Sequence, residues 1–148
     1  MTKSVVDEAI AYWARIGGAT RTPARTEFDP CHIPRLLPHV VFFGVVDGGL
    51  DFRFRVIGDV ARSFFFENYT GRLVRDLPHV EPEGPLIENF RRAVQTGRPV
   101  RRPVEYVGPQ ADFKKFDEVV LPLSGPDRLV AHLLTIVELV GYKTFGPA

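Results

Sequence analysis

The chain reads as an α+β domain: a five-stranded antiparallel sheet with short helices on one face and an N-terminal helix packing on the other. Three observations predict it. Asp51 to Gly58 alternates apolar with charged residues, as a half-buried strand does, and follows the hairpin signal Asp47-Gly48-Gly49. At Gly58-Asp59 the period changes to short helical turns, and a longer apolar stripe at helical spacing runs from Pro85 to Thr96. The final apolar run, Leu129 to Val137, has no polar face, so it belongs in the middle of a sheet covered on both sides.

Taken in order, residues 1–18 form an amphipathic helix. Ser4 or Asp7 can cap it, Val5, Val6, Ala9, Ile10, Trp13 and Ile16 recur at helical spacing, and Gly17-Gly18 ends it. Such a stripe must cover something, either its own sheet or the same helix of a second subunit, which makes Val6, Ile10 and Trp13 the candidate dimer contacts. The remaining stretch, 19–148, is expected to be one domain. It opens with a wrapping segment over 19–38, in which Pro23, Pro30, Pro34 and Pro38 interrupt regular structure while Phe28, Ile33, Leu36 and Leu37 pin it down. Asp29-Pro30 suits a capped helical turn. Val40 to Val46 is a nearly continuous apolar strand, and the hairpin pairs it with Asp51 to Gly58, where Phe52, Phe54 and Val56 share one face and Arg53 and Arg55 the other. Asp59 is expected to cap the first short helix, which carries Ala61, Phe64 and Phe65 inward, and Thr70 a second helical turn. Pro85 and Gly97 bracket the longer helix. Strands over 100–107, 113–123 and 128–140 complete the sheet, joined by turns too short for anything but antiparallel neighbours.

Composition narrows the function. At 148 residues with 45% hydrophobic content the chain fits one core. A net charge of +1 provides no field to attract nucleic acid or an anionic membrane, and no apolar stretch is long enough to span a bilayer. One cysteine, Cys31, cannot form an internal disulfide, and the N-terminus leads into an amphipathic segment, so a cytoplasmic protein is expected.

This order of elements resembles a PAS domain. The residues that carry the resemblance are Tyr12-Trp13, Pro23 with Arg25, Asp29-Pro30, Leu36-Leu37-Pro38-His39, Phe52-Arg53-Phe54-Arg55 with Gly58, Thr70-Gly71-Arg72, Gly97-Arg98-Pro99 and Leu121-Pro122-Leu123-Ser124. They spread over residues 10 to 137. More narrowly, the chain is similar to a bacterial family of PAS-like proteins, known mainly from alphaproteobacteria, in which the domain makes up nearly the whole protein. The resemblance implies a ligand-sensing or protein-interaction fold, often dimeric, and carries no site residue across.

Candidate site residues therefore come from the chain itself. Arg53 and Arg55 can clamp a carboxylate or phosphate by paired hydrogen bonds, or pair with Asp29, Glu27 or another acid to tie the wrapping segment down. Phe64, Phe66 and Tyr69 stand where a fold of this kind lines its cavity, with Tyr69 or Tyr106 as a polar handle, and they can also simply fill it. Of four histidines, His79 is best placed for an axial haem ligand, while His132 lies in an apolar strand. The cysteine with which flavin-binding PAS proteins form their photochemical adduct would fall in the helical region, where this chain has none. No cofactor or metal set can be named.

Three functions remain. The first is a non-enzymatic sensor holding a small molecule between sheet and helices and signalling through protein contact, expected as a homodimer through the helix pairing above. The second is a ligand-free dimerisation or interaction domain with a filled core. The third is a small enzyme on an α+β cone. A polar-lined void behind Phe64, Phe66 and Tyr106 would support the first, and solid packing there the second.

Overall fold

The structure, a computed structural model, describes residues 4–78, 80, 84–107 and 113–143, with side chains described at all of these except 104–107, 113–114 and 142–143. Its elements are α1 (Val5–Trp13), β1 (Val40–Val46), β2 (Asp51–Ile57), α2 (Asp59–Arg62), α3 (Pro85–Thr96), β3 (Val100–Val107), β4 (Phe113–Ser124) and β5 (Val130–Lys143), with short 3-10 turns between them. The five strands form one antiparallel sheet in the order β2-β1-β5-β4-β3. As its two apolar faces require, β5 is the central strand. It separates two cores that never mix, because alternate residues of every strand point to opposite sides.

The outer core joins α1 to one face of the sheet. Ser4 caps α1 by accepting from the Asp7 amide at 3.1 Å. Val6, Ala9, Tyr12 and Trp13 pack on Phe42, Val119, Leu121, Leu123, Leu134 and Ile136. Trp13 is almost fully enclosed and its indole N–H donates to the Pro122 carbonyl at 2.8 Å. A single wide turn, Ala14–Gly18, follows. Gly17 needs its φ of 134°, and an added Cβ on Gly18 would stand 2.1 Å from the Trp13 ring.

The wrapping segment closes this core at its rim. Asp29 caps the turn Pro30–His32 by accepting from the Cys31 amide, and Phe28, Ile33 and Leu36 are buried against α1 and β1. The Ser124 amide donates to the Pro23 carbonyl at 2.8 Å, fastening the segment to β4. At its far end the chain passes so close to β2 that a Cβ on Gly58 would meet the Leu37 carbonyl oxygen at 2.2 Å.

The inner core lies between the other sheet face and the helical elements. Helix α3 begins at Pro85 and stops at Gly97, whose φ of 64° is left-handed. Its buried stripe is Ile87, Phe90 and Ala93, facing Phe43, Phe52 and Val100, and Glu88 meets Arg92 at 3.8 Å on the solvent side.

Four sequence expectations need correction. The alternation of β2 breaks after Phe54: Phe43 pairs with Phe54 but Phe42 pairs with Val56, so Arg55 is an extra residue in a bulge. Past the bulge the faces exchange, leaving Val56 55% exposed while Ile57 packs on the inner core. The last strand begins at Val130 rather than 128, because Arg128 has a φ of 68° and donates its amide to Gly125, completing a turn. Gly58, not Asp59, occupies the cap position of α2. Thr70 caps nothing and instead donates its hydroxyl to Asn68 within its own turn.

Candidate functional site

The inner core is not solid. Between the sheet and the helical elements lies a cavity of about 520 Å³, within the size range of small-molecule sites. Its floor is the sheet: Val41 and Phe43 of β1, Phe54 of β2, Phe116 and Glu118 of β4, and Thr135 and Val137 of β5. These are the alternate residues whose outward neighbours, Phe42, Val119, Leu134 and Ile136, build the outer core. The walls come from Ala61 in α2 with Phe64 and Phe65 in the turn after it, then Tyr69 and Leu77, and finally Pro85, Leu86 and Phe90 of α3.

Aromatic contacts set the shape of this box. Phe64 meets Phe116 edge-on at 4.8 Å between ring centroids, closing the gap from α2 across to β4. Phe54, Phe65 and Tyr69 form a triangle with centroid separations of 5.5 to 6.1 Å. Tyr69 is 3% exposed, and Arg72 stands 5.5 Å over its ring while pairing with Glu67. Burial raises the Tyr69 phenol above its ordinary pKa, with the Glu67 charge adding to the effect, so the group stays protonated at neutral pH.

Glu118 is the exception in an apolar lining. It is 8% exposed, and burial alone pushes its carboxyl up from 4.5 to about 7. No hydrogen bond or ion pair engages it among the described residues. In register it faces Arg102 on β3, which is exposed, and Val137 on β5. The nearby hydroxyl of Thr135 is already committed, donating to the Val41 carbonyl at 2.6 Å. Neither Glu118 nor Thr135 was singled out from the sequence. Within Phe113-Lys114-Lys115-Phe116-Asp117-Glu118 the charges on both faces look alike, and only the cover provided by Phe64 and the helical wall distinguishes Glu118 from the half-buried Asp117.

Of the residues proposed from sequence, Phe64 and Tyr69 line the cavity. Phe66 does not: the turn after α2 carries it outward to 54% exposure, and Phe65 takes the inward position. His79 lies outside the described residues, as does the side chain of Tyr106. The remaining candidates are on the wrong side of the sheet. Arg53 projects away from the cavity and donates to the Gly71 carbonyl at 2.8 Å, tying that loop to β2, so neither Asp29 nor Glu27 is its partner. Glu27 instead pairs with Arg21 at 2.5 Å. Arg55, in the bulge, lies along Gly44 on the outer face. His132 shares that face, since it pairs with Gly44 and Leu123 and stacks on Phe42 at 5.2 Å between centroids. Desolvation, with Arg25 and Arg55 adding to it, lowers the His132 pKa and holds the ring neutral.

The dimer-contact candidates need a matching correction. Val6 and Trp13 are 0% and 2% exposed within one subunit because α1 covers its own sheet, and only Ile10 retains partial exposure. Cys31 is exposed in the wrapping segment and takes no part in the cavity. Among the described residues no group of three or more His, Cys, Asp or Glu side chains could hold a metal ion, and no helix is long and apolar enough to cross a membrane.

Comparison with known proteins agrees with this architecture. A family model described as PAS domain matches residues 1–78. No curated protein matches the chain. Among solved structures, a light-oxygen-voltage domain studied with a flavin analogue superposes with a TM-score of 0.56 at 12% identity, over 75% of this chain and 83% of that one. The PAS domain of a protein from Colwellia psychrerythraea gives 0.56 at 9% identity, over 74% and 95%. A fungal light-oxygen-voltage photoreceptor gives 0.52 at 15% identity, over 93% and 95%. At such identities the likeness is one of fold. The family match, however, spans more than half of the 148 residues, and the sheet is completed beyond it in the same architecture, so the chain belongs to the PAS domain family.

Proposed function

We propose that this PAS domain is a sensory module that binds a small molecule in the cavity between its sheet and its helical face, performs no chemistry on it, and passes its occupancy to a partner protein. The observation that carries the reading is the cavity itself: about 520 Å³, partly open to solvent and lined mostly by phenylalanines and aliphatic side chains. An apolar cleft of this size leaves those side chains against water unless an apolar ligand covers them. A filled interaction domain would need no such space. Signal output has a plausible route in the geometry, because the helical wall that holds Phe64 and Phe65 is continuous in sequence with the exposed apolar residues Val56, Val60 and Phe66. A light-oxygen-voltage domain of the same fold is one studied with a flavin analogue, which accords with a small-molecule role for the space.

The test is native mass spectrometry of the purified protein, repeated under denaturing conditions. A mass excess that disappears on denaturation is the expected result and weighs the ligand directly. Protein that carries no excess and gains none when incubated with lysate small molecules would overturn the reading.

A further inference from the structure

We propose that the ligand is a flat aromatic molecule presenting N–H donors, an aromatic amine or amidine, to Glu118 and Thr135 on the floor of the cavity. The inference rests on the reading that the cavity binds a small molecule, and adds the class. Three observations carry it. The lining is almost wholly apolar and rich in rings: Phe54, Phe64, Phe65, Phe90 and Phe116 present faces and edges beside aliphatic neighbours such as Leu77 and Leu86, which favours a flat apolar ligand. Glu118 is more than nine-tenths buried, lines the cavity, and has no hydrogen-bond or ion-pair partner among the described residues, so its carboxyl oxygens look for donors. Thr135 has given its one hydroxyl proton to the Val41 carbonyl, which leaves Oγ1 able only to accept.

The two acceptors are placed to act together. In the β4–β5 register Glu118 is opposite Val137 and Thr135 is opposite Val120, so the two are diagonal neighbours on one face. Diagonal neighbours are separated by roughly 7–8 Å, a gap that a bicyclic ring with an exocyclic amine spans. A buried carboxyl without a partner is costly, whereas one that accepts from a cationic or strongly donating group forms a charge-assisted bond. The raised affinity of Glu118 for its proton has the same origin, the lack of a donor in an apolar box. Above about pH 7, where the carboxyl is ionised, an anionic ligand would be repelled by it and could be met only if Arg102, exposed on β3, turned inward.

The experiment is calorimetric titration of the full chain with three probes sharing one ring system: 2-aminoquinoline, 2-methylquinoline and quinoline-2-carboxylate. The amine should bind at least about tenfold more tightly than the methyl compound, the difference a charge-assisted hydrogen bond makes. The carboxylate should bind most weakly. Glu118→Gln should erase most of the preference for the amine and leave the affinity for 2-methylquinoline unchanged. Thr135→Val, of nearly the same shape, should erase part of it, and serves as the readout should the Glu118 variant not fold. Equal binding of amine and methyl compound, or tightest binding of the carboxylate, overturns the donor class while leaving a small-molecule cavity standing. Failure of all three probes at millimolar concentration overturns the flat aromatic class, while the mass spectrum alone decides whether the cavity binds a small molecule.

Discussion

A carboxyl group enclosed by phenylalanine rings keeps its proton longer than one in water, and that ties the stability of this fold to pH. The ordinary value for Glu118 is 4.5 and the folded value is about 7, so between these limits the folded state holds a proton that the unfolded state has released. Stability is therefore greatest below the unfolded value, falls as pH rises through this window, and the loss is complete above about 7. A shift of this size corresponds to an upper bound of about 3 kcal/mol. Glu27, held near 2 by its hydrogen bonds to Arg21 and the Ala24 amide, titrates below the window and does not obscure it. Glu118→Gln keeps the shape and removes the titration. Urea unfolding of both proteins at pH 5 and pH 8 should show the wild type losing stability relative to Glu118→Gln as pH rises, and an equal slope in both proteins would mean that Glu118 is solvated. His132, whose pKa desolvation lowers, contributes the opposite slope, a stability lost as pH falls, and does so equally in both proteins because it sits on the opposite sheet face.

Among the elements, α1 shows how far a sequence pattern reaches and where it stops. Its apolar stripe, and Ser4 as one of two possible caps, are legible from spacing alone, because they depend on residues a few positions apart, whereas the helix ends at Trp13 and passes into the wide turn Ala14–Gly18 earlier than the glycines suggest. What the stripe covers depends on residues more than a hundred positions away, such as Pro122, whose carbonyl accepts from Trp13. Trp13→Glu should therefore not give a folded monomer. Replacing a buried tryptophan costs about 3–5 kcal/mol before the burial of a charge is added, a large share of the 5–15 kcal/mol typical of a domain. Circular dichroism should show no cooperative melt for this variant, and a native-like melt would mean that α1 can leave the sheet. The bulge in β2 illustrates the same limit. Phe52 through Val56 alternates without interruption in sequence, and only the pairing with Phe42 and Phe43 reveals that Arg55 is the extra residue. Element ends marked by their own chemistry, Pro85, Gly97 and the Asp47–Gly49 turn, were legible because glycine and proline act locally.

At the scale of the whole molecule, one sheet carries two cores with different duties: the outer face is packed against α1, and the inner face is open around the cavity. The central position of β5 was legible from its lack of a polar face, and so was the division of helices between the two sides. The cavity was not, since the six phenylalanines that line it could equally have filled the space; whether rings meet or stand apart is decided by the distance between sheet and helices, which no local pattern encodes. The division of duties predicts that the cavity can be closed without disturbing the outer core. Val137 is half-buried on the cavity floor, and its strand neighbour Ile136 points the other way into the outer core. Val137→Trp directs an indole into open space and replaces lost contacts, so the unliganded melting temperature should stay level or rise. A ligand at a hundred times its dissociation constant stabilises a domain by about 2.7 kcal/mol, worth roughly 5–10 °C for a chain of this size. The wild type should show that shift with its ligand, identified by mass or supplied as 2-aminoquinoline, and Val137→Trp should show a smaller one. A shift of equal size in both proteins would place binding elsewhere on the molecule, because an indole on the floor takes the place of a ligand ring beside Phe116.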